Sequence, residues 1–283
     1  LNSQMKEKIY FLFFRGCGAL VILALVILLS YIIIGGIGII SLDFITQFPK
    51  QGMSEGGIFP AIVGTFYLCA IVLGFSVPIG VLSAIYLVEY EKNSIVKKIW
   101  RVVIHNLAGV PSIVYGLLGL GLFVMALDFG FSLIAAGLTV GLLVLPIVIS
   151  AAREAILAVP KSVREASLAL GATKWQTIRH HVLPYAMPGI LTGIILSLSR
   201  AAGETAPILM TGAAYFMISL PDSIFSQFMA LPFHLYTMAT QSSDLVATRP
   251  IQYGTALVLL MFVIGMNFIA ILLRKKYRQK YRW

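Results

Sequence analysis

The chain has 283 residues, 59% of them hydrophobic and only 11% charged, with a mean hydropathy of +0.94. A water-soluble domain carries roughly a quarter charged residues, so a single soluble core is excluded. The formal charge of +10 does not mark a nucleic-acid binder either, because the basic residues are distributed as a membrane-topology signal.

Apolar runs long enough to span a membrane recur along the chain. The first covers about residues 17–40. It is too long for a cleaved signal peptide and reads as a retained span after a short segment, 1–16. The second, about 61–88, contains Gly74, Pro78 and Gly80. A proline inside a helix removes an amide donor and predicts a kink at Pro78, which serves either packing or a moving hinge. The third, about 105–127, carries Gly109, Pro111, Gly116, Gly119 and Gly121, and such small residues let helices approach closely in lipid. The fourth covers about 131–152, the fifth 184–210 and the sixth 254–273. Each can cross roughly 30 Å of hydrocarbon at about 1.5 Å per residue. The fold class is therefore all-α: a polytopic transmembrane bundle of six spans over residues 17–273, with a basic tail at 274–283. Cys17 and Cys69 fall inside apolar runs and read as small buried hydrophobes, with no metal site implied.

The basic residues orient this bundle. Of 21 Lys and Arg, 18 fall on one side: the first segment, the connection after span two, the loop 152–183 and the tail. Lys50 and Arg249 lie on the other side and Arg200 inside span five. By the positive-inside rule both termini are cytoplasmic, in a multi-pass protein of the cell membrane.

The cytoplasmic loop 152–183 is too polar to cross the membrane but carries a regular pattern. Ser162 and Glu165 have the spacing of a capping box, as do Thr173 and Gln176. Gly171 sits where a left-handed cap would close the first of two short helices. Together these helices offer Ala166, Leu168, Ala169, Leu170, Trp175 and Ile178 as apolar contacts. The element reads either as a docking site for another protein or as a loop lying on lipid headgroups. His180 and His181 lack metal-ligand spacing on one helix face and read as solvated or headgroup-facing.

The residues Glu165-Ala166-Ser167, then Gly171, then Leu183-Pro184 resemble the EAA loop of ABC-importer permeases. Ser167 stands for the motif's second alanine and His181 for its isoleucine. The resemblance implies the MetI-like permease fold and a loop that couples to an ATP-hydrolysing subunit. The chain itself has no G-x-x-x-x-G-K-[ST] phosphate loop, so ATP and magnesium are expected on that partner, with no cofactor and no enzymatic activity here.

Arg200 and Glu204 are the two charges inside a predicted span, about 24 Å along it in the case of Arg200. Ionisable groups at such depth are costly and mark functional sites by default. A guanidinium matches a tetrahedral oxyanion in bidentate fashion; the alternative is a neutralising pair that packs the bundle. The string from Ser199 to Pro207 resembles the fifth span of phosphate-specific permeases of the PstA type. So do Leu107–Gly116 and the Ala84-Ile85-Tyr86-Leu87 run followed by Glu89. That resemblance implies anion passage at Arg200 and Glu204. It also implies a homologous second permease, an ATPase dimer and an extracytoplasmic phosphate-binding protein facing the external segment, 211–253. Permeases for other oxyanions, and more distantly an ion-coupled carrier or a non-transporting scaffold subunit, are the rival readings.

Overall fold

The computed structural model describes residues 3–50, 53, 55–242, 244, 246 and 248–280. The chain opens with α1 (Ser3–Gly36), closed by a 3₁₀ turn at Ile37–Ile39, and α2 (Leu42–Thr46), whose first turn is capped by the Ser41 hydroxyl. A two-residue antiparallel ribbon, β1 (Pro49–Lys50) and β2 (Glu55–Gly56), leads to α3 (Phe59–Ile85). A π-helical turn, Tyr86–Tyr90, ends α3 and is followed by α4 (Ser94–Ala108). Next comes α5 (Ser112–Gly119), extended by a second π turn at Leu120–Ala126, and then α6 (Leu133–Leu157). The loop holds α7 (Lys161–Ala169) and α8 (Lys174–Thr177), and a third π turn at Ile178–Val182 joins α8 to α9 (Leu183–Gly203). The chain finishes with α10 (Ala206–Leu209), α11 (Leu231–Thr240) and α12 (Arg249–Lys280).

Among the described residues, five helices are long and apolar enough to cross a membrane, or six if α4 and α5 count as one bent span. Burial sorts them. In α6, 67% of the apolar window is buried inside the chain, against 11% for α12 and none for α1. So α6 is the central post and α1 the periphery, its apolar side chains left uncovered by the rest of the chain. Cys69 is buried as expected, whereas Cys17 lies on the exposed surface of α1.

Small residues make the closest helix contacts, although most lie elsewhere than in span three. A side chain on Gly141 would sit 2.7 Å from the Phe75 ring, and one on Gly189 would sit 2.5 Å from Ala155 Cβ. Gly193 lies equally tight on Ala151, so α6 and α9 meet through small residues four apart. In the third span only Gly116 and Gly119 are packed closely. Gly121 faces open space and Gly109 approaches only the carbonyl of Asn106.

The structure adds detail to the spans and corrects two of them, the third and the fifth. Pro78 does not interrupt α3, which runs on to Ile85, and the irregular turn comes eight residues after the proline. The third span is not one helix: α4 and α5 meet at an angle of 98° across residues 109–111. Gly109 closes α4 and Pro111, at φ −57° and ψ 141°, opens α5, since a residue before proline is kept out of the helical region. The fifth span ends at Gly203 and restarts at Ala206. Segment 1–16 is helical from Ser3 and the tail is helical to Lys280, while residues 281–283, which include Arg282, lie outside the described residues.

Segment 211–253 is less superficial than its composition implies. Phe228, Met229, Ala230 and Leu231 are all at most 1% exposed, wedged into the end of the bundle opposite the basic loop. The Leu231 amide donates to the Thr65 hydroxyl of α3 at 2.9 Å, so the wedge's backbone polarity is satisfied by a side chain deep in the bundle.

Candidate functional site

Two places carry the chemistry. The first is the loop at the basic end. Gly171 lies between α7 and α8 at φ +85°, its amide bonded to the Leu168 carbonyl at 3.0 Å and that of Ala172 to Ser167 at 3.3 Å. Only glycine takes this conformation without steric cost, and no neighbour would touch a side chain there. Thr173 and Gln176 form the expected reciprocal capping box. Ser162 and Glu165 do not: Pro160 occupies the cap of α7 and no side chain bonds the free amides. A proline just before a helix presets the backbone and has no side-chain acceptor to offer, which overrides the S-x-x-E pattern.

Of the apolar residues expected on the loop surface, Leu170 is 90% exposed, and Leu168 and Trp175 are about half exposed. Ala166 and Ala169 are exposed too, as is Glu165. Ile178 is the exception. It is 1% exposed and joins Ile156, Val182 and Ala186 in a cluster that roots the second half of the loop between α6 and α9. Ser167 is buried, and its hydroxyl pairs with that of Thr177 at 3.0 Å, so the departure from alanine forms a polar tie between the loop's two halves. His180 and His181 are exposed. Leu183 and Pro184 do not stop the helix. The π turn widens the backbone just before Pro184, which falls in the first turn of α9, where its missing amide costs little.

The structure adds residues that the sequence reading used only as topology charges. Arg164 donates from Nε and Nη2 to Oε1 of Glu89, both at 2.9 Å. It also donates to the carbonyls of Ile156 at 2.8 Å and Val159 at 2.6 Å, at the end of α6. Lys174 reaches the Glu89 carbonyl and stacks over the Tyr90 ring at 4.7 Å. Both halves of the loop are thereby fastened to the π turn that ends α3. The side chains of Arg164 and Glu89 are 19% and 10% exposed, dry enough for the pair to be costly to break. Their separation of 75 residues kept this pair out of any local pattern. Nearby, the Asn93 amide and then the Tyr86 hydroxyl hold the Glu91 carboxyl below its ordinary range.

The second place is the break in the fifth span. Arg200 Nε donates to Glu204 Oε1 at 3.1 Å. The pair does not lie along one helix face: Arg200 is in the last turn of α9, while Glu204 is its C-cap, at φ −72° and ψ 132°. The Arg200 side chain remains 43% exposed and that of Glu204 14%. Across from them is the other break. The Tyr115 hydroxyl donates to the Leu107 carbonyl at 2.9 Å, bridging the bend, and lies within electrostatic reach of Arg200. Gly116 packs on the backbone of Ala206 and Pro207, so α5 and α10 touch directly. Two interrupted helices meeting beside a charged pair is the arrangement by which membrane proteins expose polar groups at depth. Of the packing candidates, Gly109 and Pro111 form the first of these breaks, and Pro78 belongs to neither. Among the described residues no cluster of three or more His, Cys, Asp or Glu could hold a metal ion.

Comparison with known proteins gives this geometry its context. Residues 76–283 match the family described as binding-protein-dependent transport system inner membrane component. The chain is 32% identical to a probable ABC transporter permease, YqgI of Bacillus subtilis, over 95% of both chains. It is 38% identical to the phosphate transport system permease protein PstA 1 of Mycobacterium tuberculosis, over 77% of this chain and 71% of that one. In fold it resembles an inward-facing structure of the MetNI methionine ABC transporter, with a TM-score of 0.58 at 18% identity, covering 78% of this chain and 94% of that one. The chain belongs to the binding-protein-dependent transport family as an inner membrane component, the permease subunit of an ABC importer.

Proposed function

We propose that this permease carries inorganic phosphate. The observation that supports this most is the Arg200–Glu204 pair, set where α9 breaks and α10 meets α5, in a chain whose relatives include a phosphate transport permease. Arg200 donates from Nε to Glu204 while its side chain stays 43% exposed. An arriving oxyanion can take the remaining guanidinium donors as a bidentate acceptor, and Glu204, already in place, limits how tightly the anion is held.

In this reading a second, homologous permease completes the pathway, an extracytoplasmic binding protein delivers phosphate to the end formed by 211–253, and both termini are cytoplasmic. A pair of ATPase subunits, which bind the ATP and magnesium, docks on Leu168, Leu170 and Trp175, and this chain performs no catalysis. Closure of the ATPase pair pushes α7 and α8. The Arg164 and Lys174 contacts pass that motion to α3 through Glu89, and the continuous π turn passes it to α9, on which Arg200 rides.

Uptake of labelled phosphate by the assembled transporter in vesicles tests the assignment. Wild type is expected to take up phosphate with excess molybdate or sulfate present, and Arg200→Gln to assemble yet lose uptake. Competition by molybdate at equal concentration would transfer the assignment to another oxyanion, and full uptake by Arg200→Gln would remove the arginine from the pathway.

A further inference from the structure

A second charged place lies outside this scheme. Helix α4 is amphipathic, but its apolar stripe of Ile95, Ile99, Val102 and Val103 is exposed, pointing away from the bundle. The opposite face turns Lys97, Arg101 and His105, each four residues from the next, toward α6. There they line a cavity of about 160 Å³ together with Ser150 and Arg153 of α6 and Trp100. Its apolar floor comes from Leu87 and Ile104, which pack on Ile149. A soluble amphipathic helix buries its apolar face and shows its charges to water. This helix leaves its apolar stripe uncovered instead, while Lys97, Arg101 and His105 line the half-open cavity beside the buried Ile104.

Among the described residues no carboxylate lines the cavity. Arg153 pairs with its chain neighbour Glu154, and Glu91, whose charge reaches Lys97, is already engaged by Tyr86 and Asn93. Like charges gathered in a partly enclosed space repel, and that repulsion falls when an anion enters. The cavity holds the volume of about five waters, enough for a tetrahedral phosphoryl group. The exposed apolar stripe and Trp100 suit a helix lying at the membrane interface, which sets the cavity at headgroup depth.

We propose that the cavity between α4 and α6 is a binding site for a phosphoryl group, presented by an anionic phospholipid or as free phosphate. Arg101 and Arg153 offer forked donors to its oxygens and Lys97 adds a point charge. The site is separate from the Arg200–Glu204 pair and stands whichever solute that pair passes.

The assembled transporter, purified with its partner subunits, provides the test, in an Arg200→Gln background so that anion at that pair does not contribute. One arm counts phosphatidylglycerol retained by native mass spectrometry after exchange into phosphatidylcholine discs. The other follows line broadening of inorganic phosphate by ³¹P NMR in the same neutral discs. Arg101→Gln and His105→Gln, both at exposed side chains, are expected to weaken whichever anion binds, about fivefold for the lost arginine charge. Lys275→Gln, on the basic tail, is expected to change nothing. Retained lipid identifies the headgroup as the source, and broadening identifies the free ion. If neither anion responds to the cavity variants, or if Lys275→Gln loses as much, the site does not exist.

Discussion

The loop of α7 and α8 and the break at Glu204 both hold paired charges, but they are built in opposite ways. The loop is over-tied. Arg164 alone makes contacts to Glu89, Ile156 and Val159, Lys174 adds two more, and Ser167 joins the halves. The break is under-tied, with one hydrogen bond from Arg200 to Glu204 and nearly half of the arginine side chain uncovered. An element that transmits force has to be stiff along its line of action, so redundant polar ties suit it. A group that must accept and release an anion cannot have all its donors occupied. The difference teaches that, on the proposed function, the number of protein partners per charge is what separates a lever from a stop on the pathway.

That contrast can be broken from either side. The largest effect is expected at the under-tied site, where Arg200→Gln should lower phosphate uptake about 100-fold with assembly unchanged, as expected when the charged, bidentate donor to a bound oxyanion is lost. Uptake in reconstituted vesicles measures it. Next comes the lever. Glu89→Gln keeps the shape but removes the charge facing Arg164, and should destabilise the loop attachment by about 2–3 kcal/mol. Its signature is ATP hydrolysis that continues while uptake falls; equal loss of both would mean that Glu89 serves folding alone.

Smaller effects test the loop's local geometry. Gly171→Ala forces a side chain into a left-handed residue with free space around it, so it should cost about 1 kcal/mol of thermal stability. Gly171→Asn should cost less, since asparagine tolerates that conformation. Thr173→Ala removes an observed cap and should cost about 1 kcal/mol, whereas Ser162→Ala, where no cap forms, should stay within ~0.5 kcal/mol. Equal losses at 162 and 173 would restore the first capping box.

Much of this could be read from the amino acids alone. The long apolar helices follow from the free energy of placing side chains in hydrocarbon, which sums along a window and needs no neighbour. The turn at Gly171 and the cap at Thr173 are local too, each decided within four residues. For the same reason the charges at 200 and 204 stood out, because a span containing them is anomalous by itself.

What the tertiary structure decided is everything that depends on direction or on distant partners. Hydropathy is blind to the path of the helix axis, so a 98° bend at 109–111 and a break at 204–205 vanish inside runs that stay apolar throughout. Without those bends α5 would not meet α10. The Glu89–Arg164 tie spans 75 residues, and the wedge at 228–231 is buried because α3 offers Thr65 to it. The cavity beside α4 likewise exists only against α6. Local rules set which residues form helices, and packing set which way those helices turn and which charges meet, since a contact's energy is realised only when the chain has brought both partners together.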